Sequence, residues 1–291
     1  MNAIGNVRLT NRLILAPMAD IMDLPLRLTY KKFGFGITSI GSISAEAVVE
    51  DGRGKLINLC GKEEFTDERE SLVSIQLIGS DEYIMARAAE LVAKKADIID
   101  LNFGCPIKWV TRKGWGAALL EDLSKMQAII KAVVNSVDIP VTAKIRLHPS
   151  GSIIKTIDIA CCCEDAGIAA LIVHCRTPQQ RFSGKANWST FKQIRAVIQI
   201  PLIGNGDVCS LTDVKILLEK FGCDFVMVGV GALRNPLIFI EKRDGWRKNT
   251  LWDFAEYYAF HTKKRFFHTS LALVKFMLLR LRVNYFIMHY C

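Results

Sequence analysis

The sequence predicts an α/β protein, a TIM (β/α)8 barrel over residues 1–240 followed by a small, basic helical domain over 241–291. Three observations carry this. Eight short runs rich in β-branched residues recur along the first 240 residues. Most of them are continuously apolar, as expected of parallel strands buried on both faces. Amphipathic stretches separate them, so strand and helix alternate. Eight such units in about 240 residues fit a closed barrel better than a doubly wound open sheet.

In chain order the predicted strands are Leu13–Ala16, Ile37–Ser42, Leu72–Leu77, Ile98–Asn102, Val141–Arg146, Ala170–His174, Pro201–Gly204 and Phe225–Gly229. Helical periodicity covers Asp81–Lys95, Asp122–Asn135, Ile153–Ala166 and Leu211–Phe221. Within the third of these, Cys161, Cys162 and Cys163 are expected to be small core residues. Beyond Ile240 no strand pattern recurs. Leu271, Val274, Leu278 and Leu281 fall at helical spacing instead. The same tail carries Lys275, Arg280 and Arg282, and a spanning helix needs about 20 nearly uncharged residues, so no membrane span is expected.

The chain has 38 Lys/Arg against 29 Asp/Glu, a net charge of +9, and residues 241–291 hold ten of the basic and four of the acidic ones. Such an excess points to a polyanionic partner or to a solvated basic face. Nine cysteines without CxxC spacing argue against a zinc site, so no metal is expected. With no visible signal peptide, a reducing, cytoplasmic setting is expected.

In a TIM barrel the chemistry sits at the C-terminal ends of the strands. Strand 1 ends in Ala16-Pro17-Met18-Ala19, strand 3 carries Gln76, and strand 4 breaks at Asn102-Phe103-Gly104-Cys105-Pro106. Strand 5 carries Lys144 and Arg146, and strand 6 ends in His174-Cys175-Arg176-Thr177. Polar groups in apolar strands cost free energy unless they find partners, so several of them at one rim point to a site. Gly204-Asn205-Gly206-Asp207 and Gly229-Val230-Gly231-Ala232 are glycine-rich turns after strands 7 and 8, where barrels bind phosphate. Lys144 and Gln76 are then placed to hold the polar edge of a planar cofactor; a cation beside a flavin's N1–C2=O region stabilises the reduced anionic ring. His174 reads equally as a ligand contact or as a core histidine, and Cys105 as a turn plug or a pocket thiol.

The segments "LAPMADIMDLPLR", "DLNFGCPIKWVTRKGWGAALL", "TAKIRL", "IVHCRT", "IPLIGNGDV" and "VMVGVGALRNPLIF" resemble, in order, the motifs of the tRNA-dihydrouridine synthase family over roughly residues 10–240. The resemblance implies an FMN enzyme with NADPH as reductant and uridine in tRNA as substrate; separately, a monomer is expected. Pro17 and Met18 would meet FMN through the backbone, and Gln76, Lys144 and His174 through side chains. Asn205, Gly206, Asp207, Gly229 and Gly231 would hold its phosphate, and Asn102 and Arg176 would face the uracil. Cys105 would give C5 its proton while hydride from flavin N5 adds at C6; a thiol with an ordinary pKa of about 8.5 is still protonated near neutrality. Gly114 and Gly116 are expected to let its loop close over the base.

The family commonly has an arginine where Val230 stands, so the phosphate is expected to depend more on backbone donors. Pro178 and Phe182 also depart from the pattern after "HCRT". An extruded base requires that the surrounding RNA backbone be held, and Lys108, Arg112 and Lys113 flank the Cys105 loop for that purpose. In the tail, Lys263, Lys264, Arg265, Arg280 and Arg282 are interleaved with Phe266, Phe267, His268 and Tyr285. Two other readings use the same barrel. One is an FMN enzyme for a small unsaturated molecule of the dihydropyrimidine or dihydroorotate kind, and the other is an RNA-binding barrel without redox chemistry.

Overall fold

A computed structural model describes residues 2–19, 21–57, 63–64, 66–67, 70 and 72–235. The proposed helical domain at 241–291, with its cations and aromatics, lies outside the described residues. Eight strands form the barrel: β1 (Leu13–Leu15), β2 (Thr38–Ser44), β3 (Val73–Ile78), β4 (Ile98–Phe103), β5 (Val141–Arg146), β6 (Ala170–His174), β7 (Leu202–Asn205) and β8 (Phe225–Val228). All neighbours pair in parallel, in the order β1-β8-β7-β6-β5-β4-β3-β2. A parallel bridge from Ile14 to Ile37, with Leu15 N donating to Ile37 O at 3.0 Å, brings the two ends together. The predicted barrel and its eight strand positions are borne out.

The helices are α1 (Leu24–Lys32), α2 (Ala45–Asp51), α3 (Glu82–Val92), α4 (Lys108–Arg112), α5 (Leu123–Val134), α6 (Ile153–Asp165), α7 (Ser189–Arg195), α8 (Leu211–Lys220) and α9 (Val230–Arg234). Their starts follow from local chemistry, because a short polar side chain satisfies an amide that the first helical turn leaves free. Asp23 accepts from Leu26 N at 3.0 Å, Asp81 from Ile84 N at 2.9 Å, and Asp122 from Lys125 N at 3.0 Å. Ser152 and Ser210 do the same for α6 and α8. Of the three α6 cysteines, expected as core residues, only Cys163 is buried; Cys161 and Cys162 are half-exposed, because helical spacing turns them off the core face.

Strand alternation sorts the side chains. In β6, Leu171 and Val173 pack outward with the helices, while Ala170 and Ile172 join a second apolar cluster with Ile14, Ile98, Ile203 and Phe225. Ile4 and Leu9 belong to that cluster, and the hairpin of Ala3–Ile4 with Val7–Arg8 supplies the first of them. The other residues of the inward set in β3 to β7 are polar: Ser74 and Gln76, Asp100 and Asn102, Thr142, Lys144 and Arg146, then His174 and Asn205. Within β6 the inward face turns from apolar at Ile172 to polar at His174, while β5 beside it is already polar at Thr142 and Lys144, the register partners of Ala170 and Ile172.

Three buried hydrogen bonds brace the frame. Arg27 Nε donates to Glu70 Oε1 at 2.6 Å, and Thr38 Oγ1 donates to the same oxygen at 2.8 Å. Tyr30 Oη donates to Ala232 O at 2.9 Å, tying α1 to α9 beside the strand-8 turn. Burial raises the Tyr30 phenol pKa, so this hydroxyl remains a donor. Among the described residues, no helix is long and apolar enough to cross a membrane, and no group of three or more His, Cys, Asp or Glu side chains is placed to hold a metal.

Candidate active site

The strand ends enclose a cavity of about 550 Å3. Every predicted site residue lines it: Cys105, Pro17, Met18, Gln76, Lys144, His174, Asn205, Gly206, Asp207, Gly229, Gly231, Asn102 and Arg176. Small-molecule and cofactor sites typically measure roughly 300–1,000 Å3.

One wall is a hydrogen-bonded ladder across β2 to β5. Asn102 Nδ2 donates to Ser42 Oγ at 2.6 Å and to Gln76 Oε1 at 2.8 Å. Gln76 Nε2 donates to Asp100 Oδ2 at 2.7 Å, and Thr142 Oγ1 donates to Asp100 Oδ1 at 2.7 Å. Asn102 Oδ1 accepts from Gly104 N at 3.0 Å and Cys105 N at 2.9 Å. An amide side chain has two donors and two lone pairs, so Asn102 is satisfied within the protein and fixes the turn that presents Cys105. Burial pushes the Asp100 carboxyl up, against the hydrogen bonds from Gln76 and Thr142 and the charge of Lys144. Burial and the Arg146 charge push the Lys144 ammonium down, while Asp100 pulls it back up. The Lys144 Nζ reaches Asn205 Oδ1 at 3.4 Å.

Cys105 is half-buried and free. Burial pushes its thiol up, outweighing the opposing pull of the Ile107 amide, Arg146 and Lys144. It is therefore a protonated thiol at neutral pH, unlike the thiolate of a cysteine nucleophile. The loop behind it is packed close. Gly116, at φ 59°, lies where a Cβ would sit 2.8 Å from Cys105 O and 3.0 Å from Cys105 Cβ. Ala117 N donates to Cys105 O at 3.0 Å. In this arrangement Gly116 serves close contact with Cys105 rather than freedom of movement.

On the opposite wall, Arg146 Nε donates to Gly104 O at 3.0 Å and its Nη1 to Arg181 O at 2.8 Å, linking the loops after β4 and β6. Arg176 Nη2 donates to Asp207 Oδ1 at 2.6 Å and Oδ2 at 2.7 Å. The same nitrogen donates to Gly184 O at 2.7 Å, and Asp207 Oδ2 also accepts from Ala186 N at 2.7 Å. The side chains of Arg176 and Asp207 thus hold each other, which leaves Asp207 its backbone amide for an anion. His174 Nε2 lies 3.3 Å from Arg176 Nη1. A guanidinium only donates, so this nitrogen accepts and the neutral ring carries its proton on Nδ1. Burial, with Arg146, Lys144 and Arg176 around it, drives the His174 pKa well down and keeps the ring neutral.

At the glycine-rich end the backbones of the two turns touch. A Cβ on Gly231 would lie 1.9 Å from Val208 O. Only a residue without a side chain permits this approach, and it opens backbone to the cavity.

Sequence reasoning missed Ser42 and Asp100 and assigned no role to Arg146, Trp109 or Phe182. Asp100 stands two before Asn102 and Arg146 two after Lys144, so strand alternation alone puts each on the inward face. Trp109, on α4, is 42 % exposed at the cavity mouth, with its ring centroid 6.5 Å from that of Trp115.

A barrel with a free thiol, a half-buried lysine and two touching glycine-rich turns around one cavity defines a TIM-barrel enzyme with its chemistry at the strand ends. The chain belongs to the dihydrouridine synthase (Dus) family, whose model matches residues 14–276, and is a flavin-dependent oxidoreductase. Similar proteins include tRNA-dihydrouridine synthase B of Vibrio parahaemolyticus, 40% identical over 241 residues, covering 82% of this chain and 73% of that protein. Another is tRNA-dihydrouridine synthase B of Salmonella typhimurium, 37% identical over 239 residues, with coverages of 82% and 73%. A third is a probable tRNA-dihydrouridine synthase of Rickettsia bellii, 36% identical over 237 residues, with coverages of 81% and 72%. Among solved structures, a 2-naphthoyl-CoA reductase complex aligns with a TM-score of 0.62 at 13% identity, over 82% of this chain and 51% of that one. An amine oxidase for 6-hydroxypseudooxynicotine from Pseudomonas geniculata N1 aligns with a TM-score of 0.62 at 10% identity, over 81% of this chain and 47% of that one. This chain spans about half the length of each solved chain, and the likeness is one of fold.

Proposed function

We propose that this protein reduces the C5=C6 bond of uridine in tRNA, with FMN in the cavity and NADPH as the reductant. The observation that carries the reading is a free, half-buried Cys105, its thiol pKa raised by burial, opening into the same cavity as the Gly229–Gly231 turn. The residues present fit FMN. Gly231 lets the strand-8 turn close onto Val208 O, so that Gly229 and Gly231 face the cavity without side chains, and Lys144 is a cation whose described hydrogen bond is one long contact to Asn205. Pro17, Met18, Gln76 and His174 then border the ring, and Asn205, Gly206, Asp207, Gly229 and Gly231 border the phosphate. When bound and reduced, FMN supplies the hydride that adds to C6 of the uracil.

The chain's own residues do the rest. Cys105 Sγ holds the proton that C5 needs. Asn102 positions that thiol through the Cys105 amide and borders the base with its own amide groups already engaged, and Arg176 borders the same space. The tRNA-dihydrouridine synthase B name of the bacterial relatives supports tRNA as substrate and, with it, a cytoplasmic setting. Lys108, Arg112 and Lys113 stand exposed beside the mouth, in keeping with a phosphate backbone held at salt-dependent affinity. The defining experiment is incubation with FMN, NADPH and an unmodified tRNA transcript, with dihydrouridine mapped in the product. Reduction of free uracil at the same rate as tRNA would reject the substrate assignment.

Two outcomes are expected around this site. Lys144→Ala should weaken flavin retention or slow its reduction by roughly 10- to 100-fold, the worth of one hydrogen bond to a charged group. Unchanged flavin content together with unchanged reduction kinetics rejects that role. Trp109→Ala should raise the KM for tRNA roughly 10-fold with flavin affinity unaltered, since stacking a base on an aromatic ring contributes about 1–3 kcal/mol. A KM equal to wild type rejects Trp109 as a stacking surface.

A further inference from the structure

Four cationic side chains line the cavity: Lys144, Arg146, Arg176 and Arg234. Three are engaged. Lys144 contacts Asn205, Arg146 donates to the carbonyls of Gly104 and Arg181, and Arg176 faces Asp207. Arg234 differs, because among the described residues it makes no hydrogen bond or ion pair, and it is exposed. It ends α9, four residues beyond Val230, so one helical turn brings it over the same turn of backbone. Cys209, in the loop after β7, feels its charge, which puts the guanidinium beside the junction of the two glycine-rich turns.

That junction is where the phosphate of a phosphorylated ligand would lie. A phosphate monoester carries about −1.5 to −2 charges at neutral pH. Backbone amides alone offset little of this, Asp207 adds a negative charge of its own, and the Arg176 guanidinium already answers it. A planar guanidinium is the side chain best matched to phosphate oxygens.

We propose that Arg234 is the cation that binds the phosphate of the cofactor, reaching it from the far end of α9. This rests on the reading of the cavity as an FMN site. It makes the discrimination between FMN and riboflavin, which differ by that phosphate alone, depend on one side chain.

The test uses the full chain stripped of flavin, titrated with FMN and with riboflavin by quenching of flavin fluorescence, for wild type, Arg234→Ala and Arg234→Lys. Wild type should prefer FMN. Arg234→Ala should bind FMN roughly 10- to 100-fold more weakly, the range for hydrogen bonds to a charged group, with riboflavin affinity unchanged. Arg234→Lys should keep part of the preference, and added salt should weaken FMN binding more in wild type than in Arg234→Ala. Equal riboflavin affinities also show that the variant is folded. A wild-type FMN preference that survives intact in Arg234→Ala overturns the assignment. A raised KM for tRNA with unchanged FMN affinity overturns it too, assigning Arg234 to RNA phosphate instead. A wild-type protein that binds neither flavin, or both alike, defeats the underlying FMN reading.

Discussion

Cys105→Ala is expected to form dihydrouridine about 10²- to 10⁴-fold more slowly than wild type, the usual worth of a positioned general acid, while FMN stays bound and NADPH still reduces it. The separation of the two half-reactions is what makes the outcome specific. Cys105 is held by its backbone, through Asn102 Oδ1 on its amide and Ala117 N on its carbonyl, so removing the sulfur leaves the turn in place. The pH dependence has a definite sign. Burial raises the thiol pKa, so the acid form is complete below the ordinary thiol range and is lost only as pH rises through the raised value. Turnover that is slow to decline on the alkaline side in wild type, and a variant that has lost this limb, is the expected pair of profiles. Product formed by Cys105→Ala at the wild-type rate removes the thiol from the reaction.

Gly231→Ala is expected to lower both the melting temperature and the FMN content of the purified protein. The new methyl would lie 1.9 Å from Val208 O, and the obstacle is backbone, which cannot rotate aside as a side chain can. Overpacking of this kind costs about 1–3 kcal/mol, occasionally more, and each kcal/mol lowers Tm by about 2–4 °C in a domain of this size. Gly229 supplies the comparison, because a Cβ there would meet Ala16 Cβ at 3.3 Å, a contact that a few tenths of an ångström relieve. Gly229→Ala should therefore be much the milder of the two when thermal melts and flavin absorbance are measured side by side. Equal melting temperatures for the two variants would contradict the close approach of the turns.

Much of the barrel was legible because parallel strands buried on both faces announce themselves as apolar runs, and because the polar interruptions fall at strand ends. Residue pairings were harder to see. Arg176 and Asp207 were read as separate contacts, to uracil and to phosphate, yet their side chains pair. His174 lies opposite Asn205 across β6 and β7, but both strands end there, and Arg176 and Asp207 meet through the turns that follow, with Asp207 at φ 56°. Strand alternation therefore does not reach that pair. Nor does it reach the Arg27–Glu70 pair, since Glu70 lies 43 residues away with no periodic pattern to place it. The triple cysteine shows the limit of composition: a small apolar residue type says core, but only helical phase says which of three neighbours reaches it.

The change from Ile172 to His174 within one strand sorts the molecule by depth. Substitutions around Ile4, Leu9 and Phe225 should register as melting shifts with little change in ligand affinity. Substitutions at His174 and its neighbours should do the reverse. Ile172 stands between the two, because its register partner is Lys144. A stabilised scaffold is then sought in the part of the apolar cluster that lies away from the cavity.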